Sequence, residues 1–289
     1  MCDSDNNQGH VADTSMSRRA VVLTMTAAAA AAGLPTSAFA AANVVETDVM
    51  VPTPDGSADA ALFHPAGRGS WPAVLMWPDI LGLRPVFREM AKRLAAQGYV
   101  VLVPNPFYRT KRAPIVTGPF DFNDPKQMKP LMDLKATLTD AAIDRDATAF
   151  ISFLDKQKQT DRKKPAAVQG YCFSGPFAFH TAAVRADRIR AVATFHGGGL
   201  VTKDASSPHL LIPRTRSRFV VAIARNDDQK QPEAKDVLKA EFAKAKRPAI
   251  VEVYPADHGW CVPGSPPYNA AAAEHAWAEL LRLYRATLV

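Results

Sequence analysis

Cys172 is the side chain of this sequence best suited to act as a nucleophile. It lies in Gly170-Tyr171-Cys172-Phe173-Ser174-Gly175, after a short strand at 166–169 and before a segment that reads as a helix. A sharp strand-to-helix turn pushes its central side chain outward and needs small neighbours on both sides. In such a turn the N–H of Phe173 and the helix start face the oxyanion that develops on an attacked carbonyl. The same helix end favours a thiolate, although a buried structural thiol would also fit the motif. His258 stands in Tyr254-Pro255-Ala256-Asp257-His258-Gly259-Trp260, a Gly-flanked loop from which an imidazole can take a proton from the nucleophile. Asp227, in Ala224-Arg225-Asn226-Asp227-Asp228, could fix the tautomer of that imidazole and stabilise its charged form. Asp228 is an immediate rival. An ordinary solvated loop residue would account for His258 or for either carboxylate taken alone.

The elements around these residues must bring them to one place. Residues 44–51 alternate as a strand does, Thr53-Pro54-Asp55-Gly56 is a turn signal, and 58–64 reads as the hairpin partner. Residues 73–77 are continuously apolar, as expected of a strand covered on both faces. Pro85 can open a helix in which Val86, Phe87, Met90, Ala91, Leu94 and Ala95 recur at helical spacing, and Gly98 closes it. A strand follows at 99–103. Residues 105–132 are long, Pro-rich and weakly patterned, and read as a loop of the kind that forms a lid. Ile143, Ala147, Phe150 and Leu154 mark a helix, and 191–195, 219–223 and 250–254 are further strands. Ala234, Val237, Leu238 and Phe242 outline another helix, and Trp277, Leu281, Tyr284 and Leu288 a terminal one.

Strands alternating with helices after an initial hairpin predict an α/β fold with a mostly parallel sheet and helices on both faces. Ligands in such sheets bind beyond the carboxyl ends of the strands. Cys172, Asp227 and His258 each fall just after a strand, and nucleophile, acid and His in that order is the chain order of α/β-hydrolases. His196-Gly197-Gly198-Gly199 also follows a strand and is expected to line the pocket, with no further role. No spacing of His, Cys and carboxylates suggests a metal site, and neither metal nor cofactor is expected.

Residues 1–42 read as a leader rather than as part of the fold. A polar start precedes Ser17-Arg18-Arg19, an Ala-rich apolar run reaches about Ala32, and Ala38-Phe39-Ala40-Ala41 offers a cleavage site after Ala40 or Ala42. The arginine pair resembles a twin-arginine signal, so the export machinery is an expected partner and the periplasm the expected compartment. The apolar run is short of the roughly 20 residues that span a bilayer, which leaves 43–289 as the working domain. A net charge of +7 over 289 residues fits a soluble basic surface, and no Arg/Lys stripe with interleaved aromatics points to nucleic acid. Two of the three cysteines, Cys172 and Cys261, lie beyond the leader and could pair in an oxidising compartment.

With these motifs in place, the chain from about Val45 onward resembles the dienelactone hydrolases. Gly170 to Gly175 is similar to the family's nucleophile motif, with Ser174 in place of a Gly. Ala224-Arg225-Asn226-Asp227, followed by Pro232-Glu233, is similar to the acid segment and favours Asp227 over Asp228. Tyr254 to Trp260 is similar to the His segment. The resemblance implies an eight-stranded α/β-hydrolase sheet, no metal, and hydrolysis of an enol-lactone carrying a carboxylate. It further implies that Asp79, in Trp77-Pro78-Asp79-Ile80-Leu81-Gly82-Leu83, stands where the family usually has a Glu that contacts the resting thiol. Ile80 would supply the second oxyanion N–H, and Arg109 would bind the substrate carboxylate. The second cation expected shortly after the catalytic His is missing, since that stretch reads Trp260-Cys261-Val262-Pro263.

Three readings stay open on the sequence. One is ester or lactone hydrolysis through a Cys172 thioester. Another is an esterase or thioesterase for neutral substrates with the same triad. The third is a non-catalytic binding protein gated by a Cys172–Cys261 disulfide.

Overall fold

The computed structural model describes residues 43–288; the leader lies outside the described residues. Strands β1 (Val44–Thr53) and β2 (Gly56–Pro65) form the expected hairpin, with Gly56 at φ 136° where a side chain would be strained. Strand β3 (Ala73–Trp77) leads into helix α1 (Pro85–Ala95), with Pro85 in its first turn and Gly98 at φ 92° just beyond its end. Strand β4 is Val100–Pro104.

Helix α2 (Pro125–Ala136) interrupts the stretch read as a continuous loop. Pro130 inside it, and Leu131 as its one buried residue, explain why no helical period is visible in that stretch. The Asp124 side chain accepts from the N–H of Lys126 and starts the helix. Then come α3 (Asp140–Asp155), β5 (Ala166–Tyr171), α4 (Gly175–Val184), β6 (Ile189–Phe195) and β7 (Arg218–Ala224). A short α5 (Arg225–Lys230), α6 (Ala234–Lys244), β8 (Ala249–Tyr254) and α7 (Ala270–Leu288) complete the chain.

The eight strands form one sheet in the order β1-β2-β4-β3-β5-β6-β7-β8. β1 pairs antiparallel with β2, and β2 with β4, while every pair from β4 to β8 is parallel. β4 lies on one side of β3 and β5 on the other, so the winding reverses at β3. A crevice opens beyond the strand ends at such a reversal, and β5 carries Cys172 into it.

The core has two halves, one on each face of the sheet. Ala73, Leu75 and Trp77 of β3 join side chains of α3, α4 and α6, whereas Val74 and Met76 join those of α1 and α7. That two-sided burial is why β3 reads as an unbroken apolar run. Each fully buried Leu or Phe stabilises the sandwich by about 1.5–3 kcal/mol. Tyr284 of α7 donates to Gln169 at 2.7 Å, and Gln169 donates to Tyr171 at 2.9 Å, so the last helix is tied to the strand that presents Cys172. Among the described residues no helix is long and apolar enough to cross a membrane.

Candidate active site

The turn after β5 holds Cys172 at φ 56°, in the left-handed region. A β-carbon and thiol there cost about 1–3 kcal/mol of backbone strain, so the surroundings must hold the turn in place. Gly170 cannot take a side chain, because a Cβ would overlap the carbonyl of Ser174. At Gly175 a Cβ would sit 2.5 Å from Thr194 Oγ1 and 2.6 Å from the Cα of Gly197. Ser174, fully buried, explains its own presence in place of the motif's Gly. Its hydroxyl accepts from the N–H of Tyr171 at 3.0 Å and reaches the carbonyl of Trp77 at 3.1 Å, tying the turn to β3. The N–H of Gly198 donates to the carbonyl of Cys172 at 3.2 Å and ties it to the loop after β6.

His258 and Asp227 arrive from the ends of β8 and β7. These strands pair in register up to Ala224 and Tyr254, so the segments that follow emerge side by side. Asp227 lies in the first turn of α5, and its Oδ2 is 2.5 Å from Nδ1 of His258. Asn226 accepts the backbone N–H of His258 at 2.9 Å. The neighbouring Asp228 is turned away to Lys235, at 2.7 Å, so the two rival carboxylates separate cleanly. Burial opposes a charge on His258, but the hydrogen bond to Asp227 and the nearby sulfur of Cys172 outweigh it and push the imidazole up to about 10.

His196 completes the cluster. β5 and β6 pair Tyr171 with Phe195, so Cys172 and His196 are the next residues of two strands in register. His196 takes φ 42° and is buried, and neither ring nitrogen has a hydrogen-bond partner. Its ring stands edge-on to His258, with centroids 4.7 Å apart, and edge-on to Trp260 at 5.2 Å. Burial first, and then the charge of His258, drive its pKa well below the usual imidazole value. The sulfur of Cys172 and one nitrogen each of His196 and His258 lie within 4.8 Å of one another. The sequence reading placed His196 on the pocket but gave it no role and saw no metal-like grouping, because these three residues are far apart in the chain. The parallel register of β5 and β6 is the signal that could have paired Cys172 with His196.

Asp79 lines the cleft, but its hydrogen bonds go to Arg84, at 2.5 and 2.8 Å, and to the N–H of Leu81 at 3.0 Å. It makes no hydrogen bond to the thiol, because the guanidinium five residues on occupies both its oxygens. Arg109 is not on the cleft. It spends its donors on Asp146, at 2.7 and 2.8 Å, and on Asp55 at 2.6 and 3.1 Å, and so has none directed at a substrate. Cys172 and Cys261 are both free, and Cys261 is buried, so the disulfide considered above is not formed.

Ile80 and Phe173 line the same cleft as Cys172. The N–H of Ile80 has no hydrogen-bond partner among the described residues. Phe173 is held by stacking on Phe107, with centroids 5.7 Å apart, and by edge contact with Phe177 at 5.1 Å. The cleft holds about 1370 Å³. One wall comes from the segment read as a lid, through Val116, Phe120, Phe122 and Met128.

The family model of the dienelactone hydrolases matches residues 58–288. The chain belongs to the dienelactone hydrolase family. It is a hydrolase of α/β-hydrolase fold. A Synechocystis protein provisionally named carboxymethylenebutenolidase is 25% identical over 251 residues, covering 85% of this chain and 98% of the relative. Carboxymethylenebutenolidase 1 of Cupriavidus pinatubonensis is 26% identical over 218 residues, covering 74% and 86%. Among solved structures, a provisionally named dienelactone hydrolase of Klebsiella pneumoniae superposes with a TM-score of 0.73 at 19% identity, covering 84% of this chain and 99% of that one. At that identity the likeness speaks for the fold of this dienelactone hydrolase family member.

Proposed function

We propose that this protein hydrolyses a carboxylic ester or lactone through a Cys172-His258-Asp227 triad and an acyl-thioester intermediate. One observation carries the reading: Cys172 is thrust into the cleft by a left-handed turn, beside a His258 whose far nitrogen is held 2.5 Å from Asp227. His258, pushed up to about 10, already holds the proton, and the Cys172 sulfur attacks the substrate carbonyl carbon. The carbonyl electron pair moves to oxygen, which the N–H groups of Phe173 and Ile80 hold. Collapse expels the leaving oxygen, which takes the proton from His258. Water then gives a proton to His258 and attacks the thioester, and the sulfur departs as the acid is released. Asp227 keeps Nδ1 occupied, so that Nε2 faces the reacting atoms.

A specific observation favours the neutral-substrate form of this reading. Arg109 is consumed by Asp55 and Asp146, Arg84 at the cleft is paired with Asp79, and Trp260, Cys261 and Val262 follow His258 as buried residues. Among the described residues Arg84 is thus the one arginine lining the cleft, and its guanidinium is taken by Asp79, which leaves Lys135 and Lys230 as the other cations there. The cleft also exceeds the roughly 1,000 Å³ upper range of small-ligand pockets, which suits an ester larger than a compact lactone.

The test is hydrolysis of a neutral aryl ester and of a carboxylated enol-lactone, before and after thiol alkylation. Turnover that alkylation abolishes, greater on the neutral ester, supports the reading. Turnover that survives complete alkylation of Cys172 ends it. We also propose that 1–42 is a cleaved twin-arginine leader and that 43–289 works in the periplasm. N-terminal sequencing of the exported protein should begin after Ala40 or Ala42, and an uncleaved cytoplasmic product would contradict this.

A further inference from the structure

His196 takes no part in the proposed triad, yet it is a buried imidazole with two bare nitrogens, held against the reactive pair. A buried polar group without a partner is unfavourable, so the ring is poised to accept one. The atoms it faces are those a borderline-soft cation selects, a sulfur and a second imidazole nitrogen. We propose that Cys172, His196 and His258 form a three-ligand site for a zinc-like divalent cation, and that the bound ion caps the nucleophile and switches the hydrolase off.

The geometry is close to what such an ion needs. Bonds of about 2.0 Å to nitrogen and 2.3 Å to sulfur place tetrahedral ligand atoms roughly 3.3–3.6 Å apart. The three atoms now lie within 4.8 Å of one another, so side-chain rotations that close the cluster by about an ångström suffice. Asp227 on Nδ1 of His258 supplies the carboxylate–histidine support that orients a metal-bound imidazole. On binding, His258 gives its proton to solvent, which frees its Nε2 to ligate, and the sulfur lone pair that would attack a carbonyl goes to the metal instead. The site itself stands on these contacts alone. Only the expected loss of activity rests on the triad reading.

Cobalt(II) chloride titrated into the chelator-treated full chain gives the direct test. One cobalt per chain should bind, with the intense visible bands of tetrahedral cobalt and a sulfur-to-cobalt charge-transfer band that Cys172→Ser removes. His196→Phe, which keeps a ring in the buried position, should weaken binding at least about tenfold, since even residues that merely support a ligand change affinity by that much. Zinc should displace the cobalt and protect Cys172 from alkylation in the wild type. Should His196→Phe not fold, His258→Gln, in a loop, tests the same loss of a ligand. Absence of saturable cobalt binding up to millimolar metal overturns the site, and so does binding that neither His variant weakens. Zinc that speeds ester hydrolysis overturns the off-switch. Tight binding with the cobalt–sulfur signature, by a protein that hydrolyses no ester when metal-free, would leave the site standing and sink the triad reading instead.

Discussion

Two carboxylate-centred networks in this molecule look alike and differ in what they leave unpaired. Around Asp146, the hydroxyl of Tyr108 donates at 2.8 Å, Arg109 donates at 2.7 and 2.8 Å, and Asp55 links Arg109 to Arg145. Asp146 is 2% exposed, and its partners fill its oxygens. The network ties the β1–β2 turn to α3 and has no free donor facing the cleft. Around Asp227, the contact to His258 is shorter still, but the chain of contacts runs on to a thiol and to an unpartnered His196, both on the cleft. A saturated network holds the fold together; an unsaturated one in a cleft is available for chemistry.

That contrast can be broken by experiment. Asp227→Asn should lower kcat about 10³–10⁴-fold, because a wrongly held imidazole cannot relay the proton, while Asp228→Asn leaves kcat unchanged; steady-state kinetics on one ester checks both. Arg109→Ala should cost about 3–5 kcal/mol in denaturant unfolding, since it strands a buried Asp146. It should not alter the preference between a carboxylated lactone and a neutral ester, and a selective loss on the acidic substrate would return Arg109 to the site. Gly170→Ala should cost about 1–3 kcal/mol by overpacking against the carbonyl of Ser174, and it should lower kcat with little change in KM.

A further expected effect is on pH. The imidazole of His258 is raised in the folded protein from 6.5 to about 10. Its contribution to stability is therefore complete below 6.5 and lost as pH rises through about 10. Melting temperature should fall across that window, and less steeply in Asp227→Asn. An equal slope in the variant would show that the pairing of Asp227 with His258 is not the source.

How much of this was legible in the sequence follows the same division. The turn at Cys172 is visible because its constraint is local: a strand end, small residues at Gly170 and Gly175, and a helix within six residues. Asp227 and His258 are visible because each follows an apolar strand. The fold class follows from β3 and β7, whose apolar runs require cover on both faces. The partners of Asp79 and Arg109 were not legible. Whether an arginine faces a substrate or a carboxylate depends on contacts such as Asp146 to Arg109, made across the fold. α2 was hidden by Pro130 and by its one buried residue. His196 was seen as pocket lining, but its contact with the reactive pair needs the exact register of β5 against β6.

The central claim is a covalent acyl group on Cys172. The most direct measurement is mass spectrometry of the protein quenched with acid during turnover of an aryl acetate, followed by peptide mapping. An acetyl adduct on the peptide carrying Cys172, enriched in His258→Gln if deacylation slows more than acylation, is the predicted result. Turnover with no adduct on any residue in either protein, or an adduct confined to a residue other than Cys172, would contradict it.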